Sequence, residues 1–404
     1  MKKDILFLCQ YFYPDQNSSA TLPFDTAEHL ASTGKSVGAL VGYPKEYIKE
    51  KSVPVTENVA GVDIHRVRYL QLDRTGKFGR LINFFSFTAR MLLKSRFLRD
   101  YKTVVVYSNP PILPIVAIRA KRKYGTKFVF VAYDVYPEVA YASKTLRPGS
   151  MISRVMNQIN TRLYETADMV IALTDEMKDF LLNNRPGLTQ DRVTTIPNWA
   201  HENKTDVTPE MYEKFGYTED QFIVSYFGNM GTCQDMNTMM DAAEELKDNE
   251  GIRFLIVGHG NKKEAIRKRI EEQNLKNVQL IDFLTGEDFR QAVAISSCYV
   301  VSLEAGLMGT CAPSKYYSYL QGGKPVLAIV EEGSYLFREV KEEEIGSSVR
   351  IGDVKGLKAA INRLQKDTDY RSRAGAKALS LYNEKYSKEK AMKKYSDVFA
   401  GLLG

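Results

Sequence analysis

The chain has 404 residues, of which 44% are hydrophobic and 26% charged, and its net charge is +7. That length holds two ordinary domains, and that balance is typical of a soluble globular protein. No apolar run approaches the roughly 20 residues that span a bilayer; the best stretch, Thr103 to Ala120, is cut by Ser108, Asn109 and three prolines. The four cysteines, Cys9, Cys233, Cys298 and Cys311, form no C-x-x-C pair and read as reduced thiols of a cytosolic protein. Met-Lys-Lys-Asp runs directly into the apolar stretch Ile5 to Leu8, with no signal peptide ahead of it. No metal-ligand spacing of His, Cys and Asp occurs, so neither metal nor cofactor is expected. The modest positive charge suits a nucleotide or a lipid headgroup, and no nucleic-acid partner is expected.

Residues 5–41 read as strand, loop, helix and strand. The loop, Gln10 to Ala20, sits at the carboxyl end of the first strand, where open α/β sheets bind ligands. Asn17, Ser18, Ser19 and Ala20 are small enough for close approach, and a plain surface loop is the other reading. Residues 62–70 alternate as a strand, and His65 within it reads as structural. Over residues 78–102, Phe78, Leu81, Phe85, Ala89 and Leu92 keep helical spacing and form the expected core stripe. Arg80, Arg90, Lys94, Arg96, Arg99 and Lys102 lie around it, with Phe84 and Phe87 outside the stripe. Basic and aromatic residues on one helix suit an anionic membrane, with Phe84, Phe87, Arg90 and Lys94 facing it. A core helix with a solvated basic edge is the competing reading.

Val104 to Tyr107 and Phe128 to Val131 are buried strands. The second ends in Tyr133-Asp134-Val135-Tyr136-Pro137-Glu138. Carboxylates at a strand end can face a crevice and act there in acid–base chemistry, or cap the next helix. Met169 to Leu173 is a further strand, Thr174 caps a helix, and Val193 to Trp199 closes the first half. The polar stretch 200–220 reads as a linker. The second half then repeats the opening plan: strand Phe222 to Tyr226, turn Gly228-Asn229-Met230-Gly231-Thr232, helix Met236 to Leu246. Two such halves argue for two Rossmann-like domains. Phe254 to Gly260 is a strand entering a second glycine turn, which is neither a Walker loop nor a G-x-G-x-x-G fingerprint. Asn277 to Phe283 and Cys298 to Leu303 are strands, and Glu304 lies in the loop after the latter.

Ala312-Pro313-Ser314-Lys315 opens a short helix that Ser314 is expected to cap. The helix stops at Gly322-Gly323, and Val326 to Ile329 is a buried strand. A lysine in the first turn of a helix suits a phosphate or diphosphate; an ordinary capped helix uses the same parts. Residues 354–366 form an amphipathic helix, and the tail 376–403 carries Tyr382, Tyr386, Tyr395, Phe399 and Leu402. Asp367-Thr368-Asp369 falls between helices and is not read as a metal site.

Pro313-Ser314-Lys315, the Tyr-rich helix and Gly322-Gly323-Lys324-Pro325-Val326 resemble the C-terminal signature of the family-four GT-B glycosyltransferases. The similarity is to the branch that builds bacterial surface polysaccharides. Asp134 to Glu138, Ile196-Pro197-Asn198-Trp199, and the set Gly228, Asn229, Gly231 and Gln234 match the same branch. The resemblance spans nearly the whole chain. It implies an α/β, GT-B fold of two facing Rossmann-like domains with parallel sheets. The acceptor domain would be 1–202 and the nucleotide-sugar domain 203–379, with the last helix, 380–404, packing back on the first.

The implied reaction is retaining, metal-independent transfer of a hexosyl or N-acetylhexosaminyl group. The donor would be a nucleotide sugar, a UDP-sugar foremost, and the acceptor a lipid-linked or other glycan. The implied place is the inner face of the cell membrane, in capsule or O-antigen synthesis. Lys315, Asp134 and Glu138 take the catalytic roles. Ser18, Ser19, Gly228, Asn229, Gly231, Gln234, Gly258, His259, Phe283, Thr310, Pro313, Ser314 and Ser318 line the nucleotide sugar. Lys315, Ser314 and the N–H groups near Gly228 and Gly231 would stabilise the leaving diphosphate. The chain departs from the family in two places. Ser318 stands where relatives carry the glutamate that holds the ribose, and Thr310 where many carry a second glutamate. That loss supports a second expectation, a GT-B partner subunit without donor chemistry. An epimerase acting on the nucleotide sugar is a third.

Overall fold

A computed structural model describes residues 2–44, 53–72, 77–201 and 205–404. Part of the polar linker stretch, 202–204, and the side chains of Phe78 and Arg80 lie outside the described residues. The chain divides into two compact units. One is Met1–Asn198 with Gly309–Ala312 and Glu389–Gly404; the other is Trp199–Met308 with Pro313–Lys388.

The first unit opens with β1 (Lys3–Cys9), α1 (Ser18–Ser32) and β2 (Val37–Gly42). The hairpin β3 (Thr56–Val59) and β4 (Val62–Val67) precedes the long helix α2 (Lys77–Leu93). Next come β5 (Tyr101–Tyr107), α3 (Pro114–Tyr124), β6 (Lys127–Ala132), α4 (Glu138–Ala142) and α5 (Met151–Thr166). The unit continues through β7 (Met169–Ala172), α6 (Asp175–Asn184) and β8 (Val193–Thr195). The sheet runs β3-β4-β2-β1-β5-β6-β7-β8. All its pairings are parallel except β3 with β4. Runs such as Ile5-Leu6-Phe7-Leu8 and Val104-Val105-Val106 lack alternation because both faces of the sheet are covered, and each of these residues is fully buried.

The second unit comprises α7 (Pro209–Lys214), β9 (Phe222–Phe227), α8 (Asn237–Glu245), β10 (Ile252–Val257) and α9 (Lys263–Glu272). It continues with β11 (Val278–Ile281), α10 (Gly286–Ala294), β12 (Cys298–Ser302), α11 (Lys315–Gln321) and β13 (Val326–Ile329). Then follow α12 (Tyr335–Glu342), β14 (Gly346–Val349), α13 (Val354–Lys366) and α14 (Thr368–Leu381). Its sheet is β11-β10-β9-β12-β13-β14, parallel throughout. Asp367 accepts from the backbone N–H of Tyr370 at 2.8 Å, so the Asp367-Thr368-Asp369 string contributes a helix cap. The last helix, α15 (Lys388–Leu403), belongs from Glu389 onward to the first unit. There Ser396 meets His29 at 2.9 Å, and Lys127 donates to the Leu402 carbonyl at 2.8 Å.

One helix face departs from the sequence reading. In α2 the buried residues are Asn83, Phe87, Thr88 and Met91, while Leu81, Ile82, Phe85 and Leu93 are exposed. Phe87 is a core residue, packed edge-on against Tyr69 at 5.2 Å, and it faces no membrane. Phe84 is half-buried, and Arg90 and Lys94 are exposed as expected. The deciding contact is polar: the Asn83 amide exchanges two hydrogen bonds with the backbone of Leu72, at 2.8 and 2.9 Å. That pairing satisfies a buried amide and fixes the rotation of the helix.

Candidate functional site

In the second unit the strand order reverses between β9 and β12. Chains leaving those two strands diverge, and the crevice they open is the standard ligand position of such sheets. Four loops meet there. The turn 228–236 follows β9, the glycine turn 258–260 follows β10, and the loop with Phe283 follows β11. Glu304 follows β12, on the path to α11.

The β9 turn is drawn tight by the protein itself. The N–H of Gly228 donates to the Val257 carbonyl at 2.9 Å, and that of Met230 to the His259 carbonyl at 2.7 Å. The N–H of Gly231 donates to the Gln234 side chain at 3.0 Å. Asp235 accepts from the N–H groups of Asn237 and Thr238, at 3.0 and 3.3 Å, at the start of α8. Of the N–H groups near Gly228 and Gly231 expected to stabilise a diphosphate, those of the two glycines themselves already have protein partners. Glycine at 258 has a steric cause: φ is +147°, and a Cβ there would collide with the Gly228 carbonyl oxygen. His259 and Phe283 meet edge to face at 5.5 Å on the rim, where Phe283 is 49% exposed. Asn229 is exposed at the head of the turn, and Gln234 is half-buried at its foot.

Lys315 begins α11 and reaches this turn. Its Nζ lies 3.7 Å from the centre of the Tyr226 ring and donates to the Tyr226 hydroxyl. That hydroxyl in turn donates to the Asn229 carbonyl at 2.7 Å. Among the described residues no carboxylate pairs with Lys315. Burial therefore pushes its pKa down to about 7. Tyr319, one turn along, accepts from the N–H of Phe227 at 2.9 Å and stacks on Tyr299 at 4.6 Å. These contacts dock α11 on the end of β9. Pro313 is buried just ahead of the helix. Ser314 makes no side-chain cap and its backbone is helical, a further correction. The Tyr316 N–H donates to the Pro313 carbonyl at 3.0 Å. Ser318 lies on the Lys315 side of α11 and its hydroxyl has no hydrogen-bond partner among the described residues.

A second cation was missed in the sequence. Lys262, in the loop between β10 and α9, donates to the Gln234 carbonyl at 2.6 Å and pairs with Glu304 at 2.5 Å. Nothing in local spacing links positions 234, 262 and 304; the sheet order alone brings them together.

In the first unit Ser18 and Ser19 open α1 at the carboxyl end of β1, Ser18 exposed and Ser19 half-buried. Asp134 follows β6, and its N–H donates to the Ser108 hydroxyl at 3.1 Å. Burial raises its carboxyl to about 6. Thr310 is grouped with this unit. It is buried, its carbonyl accepts from the Val135 N–H at 2.7 Å, and Cys311 bridges Asp134. Glu138 is paired with Arg185 at 2.6 Å, and Arg185 also donates to the Tyr136 carbonyl at 3.3 Å. Glu138 therefore braces the 134–138 loop. Its partner, 47 positions away, carries no sequence signal.

The pattern of the glycosyl transferases group 1 matches residues 207–380, and that of the glycosyl transferase 4-like domain matches residues 24–199. The chain belongs to the family-four GT-B glycosyltransferases. This glycosyltransferase is 25% identical over 299 residues to "Probable glycosyltransferase WbjE" of Pseudomonas aeruginosa, covering 73% of this chain and 74% of that one. It is 26% identical over 148 residues to "Putative colanic acid biosynthesis glycosyl transferase WcaI" of Escherichia coli (strain K12), covering 35% and 36%. The solved structure of HepE from Anabaena in complex with UDP shares the fold, with a TM-score of 0.70 at 16% identity over 98% of this chain and all of that one.

Proposed function

We propose that this glycosyltransferase moves a sugar from a nucleotide sugar, a UDP-sugar foremost, to a lipid-linked or other glycan acceptor in surface polysaccharide synthesis. The observation that carries the reading is Lys315: a half-buried cation with no carboxylate partner among the described residues, beside a glycine turn at the switch point of a parallel sheet. Such a group awaits an anion. A departing nucleoside diphosphate supplies one, and stabilising it is electrostatic catalysis. UDP in the HepE structure supports the base, and the description of WcaI supports the polysaccharide setting. We read the transfer as retaining and metal-independent, with lysine charge offsetting the diphosphate. Asp134, half-buried and ionised above about pH 6, orients the acceptor hydroxyl. Glu138 holds the loop that presents it. The transferred group is a hexosyl or N-acetylhexosaminyl unit. The enzyme works from the cytoplasmic membrane face, where α2 offers apolar and basic side chains.

The test is calorimetric titration of the purified chain with UDP and then GDP, followed by turnover of the matching sugar nucleotide. Micromolar binding of one is expected, and Lys315→Ala should lower turnover by about 10²-fold or more. Absence of binding by either nucleotide would favour a partner subunit that lacks donor chemistry. Thr310 and Ser318, standing where relatives carry carboxylates, are the observation behind that second reading.

A further inference from the structure

We propose that Lys262 is a second diphosphate-binding cation of the donor site, held on Glu304 until the nucleotide replaces that carboxylate. This rests on the donor-site reading above. The β9 turn is bracketed by two lysines. Lys315 lies at its head: a Cβ on Gly228 would meet the Lys315 side chain at 3.5 Å. Lys262 lies at its foot, with Nζ on the Gln234 carbonyl at 2.6 Å. The backbone holds this arrangement. The Lys262 N–H donates to the Met230 carbonyl at 3.0 Å, and the Glu304 N–H to the Cys233 carbonyl at 2.9 Å.

Charge balance asks for this second cation. The N–H groups of Gly228, Met230 and Gly231 are committed to protein acceptors. The start of α8 is committed to Asp235. Those N–H groups of the turn are taken by the protein, so side-chain cations add to what the turn can offer a diphosphate of two or more negative charges. Lys262 and Glu304 keep side-chain exposures of 25% and 32%, so the pair is open to an incoming anion. As a staple alone it contributes little, because accessible ion pairs give about 0–1 kcal/mol. Exchanging Glu304 for a phosphate oxygen keeps the ammonium charge-paired throughout. Lys262 keeps its bond to the Gln234 carbonyl during the exchange, so the turn stays closed.

The experiment is titration of the full chain with UDP and UMP, and in parallel with GDP and GMP. Lys262→Met is expected to weaken the diphosphate by about tenfold or more, the loss of one charged hydrogen bond, with the monophosphate within about twofold. Lys262→Arg should restore most of the diphosphate affinity. Glu304→Gln, which removes the competing anion, should tighten the diphosphate and leave the monophosphate unchanged. If Lys262→Met weakens both nucleotides equally, or neither, Lys262 is only a staple and the inference fails while the donor reading stands. Wild-type protein that binds no nucleotide overturns the donor reading and this inference with it.

Discussion

Lys315 is held where its charge is poorly solvated, and that has a consequence for stability as well as binding. An unfolded lysine titrates near 10.4, whereas in the folded chain burial pushes Lys315 down to about 7. Between those values the unfolded state binds more protons, so stability contributed at this site rises with pH. Below about pH 7 the penalty is present in full; as pH climbs toward 10.4 it fades. Lys315→Met removes it. We expect the variant to be more stable than wild type by ~1–2 kcal/mol at pH 6–7, a figure discounted for partial exposure, with the gain shrinking toward pH 10. Urea unfolding at several pH values measures this, and turnover should be lost in the same variant. A gain that stays flat with pH would mean the lysine is comfortably charged in the fold. A site that costs stability and gains function is a known trade in enzymes.

At the scale of the element, α11 carries its lysine accurately because Tyr319 ties it to β9. The Tyr319 hydroxyl serves the N–H of buried Phe227, while its ring stacks on Tyr299. Tyr319→Phe keeps the stack and orphans that N–H, which should cost about 1–3 kcal/mol. The same variant should bind UDP more weakly, since Lys315 is on the loosened helix. Stability loss without weaker binding would show that the helix is seated by its other buried tyrosines. Elements of this kind were legible in the sequence: α11, its glycine stop and β13 all fall where Pro313, Gly322-Gly323 and the apolar run Val326 to Ile329 point. The parallel sheets were legible too, from continuous apolar runs separated by helical ones. Rotation of α2 was not. That helix carries apolar residues on more than one face, so two stripes of helical spacing exist, one through Phe85 and one through Phe87. The choice was made by Asn83 bonding to Leu72, a polar contact 11 positions back that has no periodic signature. Lys262 with Glu304, and Glu138 with Arg185, escaped notice for the same reason. Each pair is far apart in sequence and is assembled by strand order.

For the whole molecule, the proposed membrane contact is a matter of which side chains α2 exposes. No helix among the described residues is long and apolar enough to cross a bilayer. Phe85 is 53% exposed and Leu93 79% exposed, a cost in water with no gain in the core. Beside them Lys94, Arg96 and Arg99 line a cavity of about 410 Å³. Apolar side chains next to basic ones match the boundary between headgroups and acyl chains. The chain as a whole carries +7, which adds a long-range pull toward anionic lipid. We expect sedimentation with vesicles rich in phosphatidylglycerol and little with phosphatidylcholine alone. Phe85→Ser with Leu93→Ser should weaken binding at every salt concentration, because burial of apolar area is not screened. Lys94→Ser with Arg96→Ser should weaken it mainly at low salt, where the Debye length exceeds about 10 Å. Phe87→Ala is the contrast: it should cost about 3–5 kcal/mol of stability, as an emptied core site does, and leave vesicle binding of the folded protein unchanged. Wild-type protein that never sediments with anionic vesicles would remove the membrane from the scheme. Release by Phe87→Ala and not by Phe85→Ser would show that the exposed face points elsewhere.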